Sequence, residues 1–373
     1  MAIDKVTSAS ITDSSVTSAK VADGVLQPNF RNIIINGDMN IAQRSTSTAS
    51  ITTEAYHTID RYATFITTLG TWTQSQSTDV PTGQGFAKSF KMDCTTADAS
   101  PAAGDRLLIQ QKIEGQNLQY IKKGTSSAES LTLSFWVKSN KTGTYIAELF
   151  DNDNTRQISQ SYTISSADTW EKKTMTFAGD TSGVLGNDTG DSLILHLWLG
   201  AGTTYSSGTL STTWTSNTNA NRAVGQVNLA DSTSNEWYVT GIQLETGTSA
   251  SDFEFLPVDV NFARCQRYYF LHSNGAGDVG SMTSYYNANQ LGGEIFFPCT
   301  MRTTPTITAT TGTDYYTNFR SGATDDFNEI VNGKSTTHQC SWYATGGVSG
   351  SAGDSGFYRN KNASARVEFS AEL

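Results

Sequence analysis

Five apolar residues, Val6, Ile11, Val16, Val21 and Leu26, stand at a strict five-residue spacing at the start of this chain, with Ser, Thr, Asp, Ala and Lys between them. A helix repeats its buried face at three and four residues and a strand at two, so five fits neither. In a straight strand an odd spacing would flip the apolar residue to the other face at each repeat. The segment must turn within each repeat or wrap around something. One apolar residue in five cannot offset an ordering cost of roughly 1–2 kcal/mol per residue. Identical copies that pool these positions around one axis can. The spacing therefore points to a chain built to assemble, with a homotrimer as the expectation. The alternative reading is a disordered Ser/Thr-rich tail.

At 373 residues the chain suggests two domains plus this tail, and its 16% charged content is low for a globular protein. The polar balance is carried by Ser, Thr, Asn and Gly, which form helices poorly, so the fold class expected is all-β. The net charge is −10, of which residues 1–260 carry −9 and residues 261–373 carry −1. No basic stripe is available for a phosphate backbone, which argues against nucleic acid as a partner. The first residues lack the pattern of a secretion signal, and no run approaches the roughly 18 apolar residues of a membrane span. Manufacture in a cytoplasm without membrane insertion is expected. Cys94, Cys265, Cys299 and Cys340 form no Cys-x-x-Cys pair and read as reduced, mostly buried thiols.

Along the chain, Ile33 to Ile35 followed by Asn36-Gly37 reads as a first strand and turn. Alternating patterns follow at Phe86–Met92, Leu107–Ile113, Leu131–Val137 and Trp237–Leu244. In Leu193 to Leu199 both alternating sets are apolar or aromatic, so that strand is expected to be covered on both faces. Gly115 to Tyr120 suggests a helical turn, and Val258 to Tyr269 a short helix after Pro257. Strands resume to the end of the sequence. The pattern predicts an attachment segment over 1–29, a jelly-roll sandwich over 30–257, and a smaller β-rich domain over 258–373.

Three segments, Asn32-Ile33-Ile34-Ile35-Asn36-Gly37-Asp38-Met39, Ser130 to Ser139 and Phe262-Ala263-Arg264-Cys265-Gln266-Arg267-Tyr268-Tyr269, occur in one order and spacing. Tyr162-Thr163-Ile164, Thr169 to Thr174 and Ile242 to Glu245 join them. In this the chain resembles tail-fibre and other fibre-like virion proteins of tailed bacteriophages over about residues 30–270. The resemblance implies a jelly roll related to carbohydrate-binding modules, a homotrimer, and a place on the virion with the N-terminal segment, including Phe30, contacting other virion proteins. Receptor recognition on the host surface, a glycan or an envelope protein, is the function it implies. A capsid decoration or tail adaptor without a receptor site, and a polysaccharide depolymerase, are the alternatives.

The residues offer little catalytic chemistry. Gly275 to Gly280 fits a dinucleotide fingerprint but precedes a strand-like stretch where a helix is required. Gly353-Asp354-Ser355-Gly356 has no histidine in a triad setting. The expectation is a non-enzyme without cofactors. Asp151 and Asp153, in Asp-Asn-Asp-Asn-Thr, are weak calcium candidates and read better as hairpin-turn residues. Sugars are recognised by exposed rings that cover the apolar faces of a pyranose. The candidates are Trp72, Tyr205 and Trp214 in the first domain and Tyr285, Tyr286, Tyr315, Tyr316, Trp342 and Tyr343 in the second.

Overall fold

The computed structural model describes residues 30–373; Val6, Ile11, Val16, Val21 and Leu26, with the assembly expected of them, lie outside the described residues. The all-β expectation is met by two β-sandwiches in series. The first packs a six-stranded sheet, in the order Ser47–Ile51, Thr71–Ser77, Ser89–Thr96, Glu236–Thr246, Leu131–Ser139, Glu171–Phe177, on a seven-stranded one. The second sheet runs Thr215–Ser216, Arg156–Ile164, Gly143–Asp151, Asp191–Ala201, Arg106–Glu114, Ala63–Thr67, Ala55–Tyr56. Every pairing in both sheets is antiparallel.

Alternation decides which side chains meet. Leu193, Leu195, Leu197 and Leu199 face the interlayer core with Phe90, Phe135, Trp237 and Trp72. Trp198, one residue out of phase, lies on the outer side of the same strand. There it packs with Leu108, Ile146, Tyr205 and Ala223, so the chain's own connection after Ala201 covers that outer face. The strand is buried on both faces, as its sequence indicates.

Under this cover lies a buried polar cluster. Glu148 receives Arg222 Nε at 2.8 Å and Nη2 at 2.9 Å, Trp198 Nε1 at 3.0 Å, and pairs with His196 Nδ1 at 2.9 Å. Burial works against its charge, but the Arg222 guanidinium and the His196 hydrogen bond outweigh burial and hold the carboxyl down at about 2. Burial also lowers the pKa of His196.

Ile33 to Ile35 is buried but is not a strand. Ile33 N donates to the Leu244 carbonyl at 2.9 Å, and side chains take the other two amides. Ile34 N donates to Asn32 Oδ1 at 3.0 Å, and Gln111 receives Ile35 N at 2.8 Å and returns a bond to its carbonyl at 2.9 Å. An irregular segment can be buried when every amide is satisfied this way.

The second sandwich sets a three-stranded sheet, Tyr269–Asn274, Arg366–Ser370, Thr306–Ala309, against a seven-stranded one. The larger runs Ala323–Phe327, Tyr316–Arg320, Ser355–Asn360, Val279–Asn287, Gln290–Phe296, Gln339–Ala344, Val331–Ser335. Trp342, Tyr358, Phe327, Tyr316 and Phe369 form the centre of its core.

The junction between the sandwiches is built from two of the segments singled out in the sequence, Asn32 to Met39 and Phe262 to Tyr269. Asn36 N donates to Asn261 Oδ1 at 3.2 Å, and Asn261 Nδ2 to Asp38 Oδ1 at 3.1 Å. Ile35 and Ile41 pack on Cys265 and Tyr268, around the end of the helix Val258–Gln266. Arg267 grips Glu114 with Nε at 2.8 Å and Nη2 at 2.7 Å, and Tyr268 Oη donates to the same carboxylate at 2.5 Å. Glu372 lies between Arg61 and Arg44, the latter at 3.2 Å.

The buried Glu148 cluster has a pH signature. A carboxyl held at about 2 against an ordinary 4.5 contributes stability above pH 4.5 that is lost as pH falls toward 2. The lowered His196 acts in the same direction from its ordinary 6.5 downward. The thermal midpoint of the first sandwich is expected to fall on acidification, and Glu148→Gln to lower it at pH 7 while flattening the acid slope. An unchanged slope in that variant, measured by circular dichroism melts from pH 7 to 2, would contradict this.

Candidate functional site

The six aromatic candidates in the second sandwich come as three adjacent pairs, and a strand cannot point both members of a pair the same way. Tyr285 and Trp342 are buried in the core, with Tyr286 and Tyr343 on the opposite face of the sheet. Tyr285 Oη donates to Asp325 Oδ2 at 2.6 Å, and Trp342 Nε1 to Ser281 Oγ at 2.9 Å. Tyr316 is fully buried and donates to the Thr310 carbonyl at 2.7 Å, while Tyr315 is half-buried against the same core. Tyr285, Tyr316 and Trp342 are thus core residues, unlike the exposed platforms expected of them. Trp72 is likewise core, with Nε1 on the Leu69 carbonyl at 2.8 Å. Tyr205 is buried against Trp198, and Trp214 is half-buried with Nε1 on the Ala178 carbonyl at 2.8 Å.

What remains is the outer face of the second sandwich's seven-stranded sheet. Its register sets Phe319 opposite Phe357, and Phe357 opposite Met282. The two phenyl rings stack at 5.3 Å with an interplanar angle of 11°, and the Arg359 guanidinium lies 4.8 Å from the Phe319 ring centre. Tyr286 is 80% exposed, Met282 70% and Phe296 67%. Single exposed apolar side chains need no explanation, but a contiguous set on one face marks an interaction surface. Beside them runs a groove of ≈ 550 Å³ along Gly292, Gly293, Glu294 and Phe296. Glycine is required in its wall. A Cβ at Gly280 would stand 1.8 Å from the Tyr358 ring, and one at Gly293 would stand 2.3 Å from the Met282 carbonyl.

The chemistry of this face is that of stacking with a few polar contacts. Rings and a thioether supply apolar area, Ser284 and Gln290 supply hydrogen-bonding groups, and Arg359 and Glu294 stand near with opposite charge. His272 lines the groove, and burial pushes it down to about 4, so it is neutral at pH 7. Sequence reading missed Met282, Phe296, Phe319, Phe357 and Arg359. The signal for Met282 was the period-two spacing that puts Met282, Ser284 and Tyr286 on one face; Phe319 and Phe357 meet only through a register that no local pattern reveals.

The calcium candidates are engaged as turn residues. Asp151 pairs with Lys123 and accepts Asn154 N at 3.0 Å, and Asp153 accepts Gly186 N at 2.7 Å. Gly275 to Asp278 likewise forms a turn between strands. No helix among the described residues is long and apolar enough to cross a membrane.

No family model matches the chain, and no curated protein matches it. Solved structures overlap part of the chain. The enzymatically active domain of tailspike protein 4 from bacteriophage CBA120 is 14% identical at TM-score 0.31, over 58% of this chain and 22% of that one. A family 4 carbohydrate-binding module is 12% identical at TM-score 0.28, over 57% of this chain and 98% of that one. The tripod from the baseplate of bacteriophage Tuc2009 is 11% identical at TM-score 0.26, over 60% of this chain and 57% of that one. At these values the likenesses carry no information on ligand or reaction.

The division between core and surface rings is testable. Trp72→Ala and Trp342→Ala are each expected to cost about 3–5 kcal/mol of stability. Tyr286→Ala is expected to stay within about 0.5 kcal/mol of the parent. Urea unfolding followed by fluorescence measures both, and a stable Trp342→Ala protein or a strongly destabilised Tyr286→Ala protein would refute the assignment.

Proposed function

We propose that this chain is a non-enzymatic fibre protein of a tailed-bacteriophage virion, and that the open face of its second sandwich recognises a glycan on the host surface. One observation carries the reading. The outer face of the first sandwich's seven-stranded sheet is covered by its own chain, whereas the corresponding face of the second leaves Met282, Tyr286, Phe296 and the Phe319–Phe357 stack open. Burying such rings against a pyranose removes apolar area from water at about 25 cal/mol per Å². The near-neutral charge of residues 261–373 supports approach to an anionic envelope, against −9 for the rest. The ordered motifs shared with fibre proteins support the virion setting, with residues 1–29 as the attachment and trimerisation segment.

The carboxylates of this face favour binding over cleavage. Glu294 and Asp326 lie on strands four places apart in the sheet, roughly 19 Å at the usual inter-strand spacing. Glycosidases hold their pair about 5–10 Å apart. Asp326 is also committed to Lys361 at 2.5 Å.

Adsorption of labelled full-length protein to host cells tests the proposal. Tyr286→Ala and Phe357→Ala should each weaken adsorption by about 1–3 kcal/mol, and stripping surface polysaccharide from the cells should abolish it. Adsorption that survives stripping would replace the glycan with an envelope protein. Adsorption equal in both variants would move the site elsewhere, and none at all would leave a structural decoration.

A further inference from the structure

Where the entering chain, the turns after Arg106–Glu114 and the helix Val258–Gln266 meet, they enclose a pocket of ≈ 350 Å³. That lies within the range of about 300–1,000 Å³ typical of small-ligand sites. Its wall holds three cations, Lys112, Arg264 and Arg267, and no carboxylate, in a chain of net charge −10. Two of the cations are committed, Lys112 to Asp191 at 3.2 Å and Arg267 to Glu114. Arg264 is different. Among the described residues it has no ion-pair partner, and its one hydrogen bond is a 3.5 Å reach from Nη2 to the Asn32 carbonyl. The carboxylate it feels, Glu254, is occupied by the backbone amides of Phe30 at 2.5 Å and Asn32 at 2.9 Å. A half-buried guanidinium with no ion-pair partner among the described residues is costly, and its planar fork matches a carboxylate.

The surroundings narrow the anion. The Tyr120 ring is 48% exposed and lines the same pocket as Arg264. The side-chain amide of Asn117 has no hydrogen-bond partner among the described residues. A ring face, a free amide and an unpaired guanidinium are the groups that a pyranose bearing a carboxylate would engage. A bare inorganic anion would leave the ring and the amide unused.

We propose that this pocket binds an acidic sugar residue, with its carboxylate on Arg264, its ring against Tyr120 and a hydroxyl on Asn117. The site is separate from the open face of the second sandwich, and its test does not depend on that face.

The test titrates the full-length protein with D-glucuronic acid, D-galacturonic acid and N-acetylneuraminic acid, followed by saturation-transfer NMR, with D-glucose, D-galactose and acetate as controls. At least one acid should saturate below about 10 mM and bind about tenfold tighter than its neutral parent or acetate. Arg264→Gln should weaken it by about tenfold or more, and Tyr120→Ala should weaken it as well, which keeps the test decisive should the arginine variant misfold. Saturation by none of the acids, equal binding of the neutral sugars, acetate as tight as the sugar acid, or unchanged affinity in a folded Arg264→Gln protein would each overturn the proposal.

Discussion

Glu372 lies with its carboxylate between the guanidinium groups of Arg44 and Arg61, and the spatial arrangement of the protein depends on that contact. The arginines belong to the first sandwich; Glu372 follows the last strand of the second. The same guanidinium groups lie over neighbouring rings, Arg61 3.5 Å from the centre of Tyr268 and Arg44 3.7 Å from that of Tyr269. Glu114, held by Arg267 and Tyr268, repeats the device in the opposite direction, with the acid on the first sandwich and the base on the second. Desolvating ion pairs is expensive, and their return is geometric: they reward one relative orientation and penalise others. Burial pushes nearby Asp60 up to about 6 even beside Arg44, which shows the desolvation borne at this junction. The consequence for function is a fixed direction for the open face of the second sandwich relative to the point where the chain enters at Phe30.

Much of this was legible in the residues. Alternation located the strands, and the doubly apolar stretch Leu193–Leu199 announced a strand covered on both sides. Two of the sequence motifs had a different meaning from the one a functional search would give them. Asn32 to Met39 and Phe262 to Tyr269 meet each other at the junction, where Asn36, Asp38 and Asn261 exchange hydrogen bonds. They specify how two sandwiches are joined. Ile33 to Ile35 reads as a strand in the sequence, but its partners are the Leu244 carbonyl and the side chains of Asn32 and Gln111, and no local signal marks the distant ones. The paired aromatics were legible in part. Period two guarantees that one of Tyr285 and Tyr286 points inward, but which one depends on the layer that covers the sheet.

The two sandwiches use similar sheets in opposite ways. In the first, the connection after Ala201 folds back over the outer face, and Glu148, His196, Arg222 and Trp198 form a closed network beneath it. In the second, no segment among the described residues covers the corresponding face, and rings that could have been core stand in water. Exposed aromatic area is unfavourable in an isolated protein and favourable once a partner covers it. The stacked Phe319–Phe357 pair with Arg359 beside it is already ordered, so a ligand would incur little cost in fixing it.

The measurement that bears most directly on this account is hydrogen–deuterium exchange of the full-length protein with and without purified host surface polysaccharide. Protection that covers Tyr316–Arg320, Val279–Asn287, Gln290–Phe296 and Ser355–Asn360 is the result expected if the open face is the recognition surface. Protection confined to the first sandwich, or none at saturating polysaccharide, would contradict it.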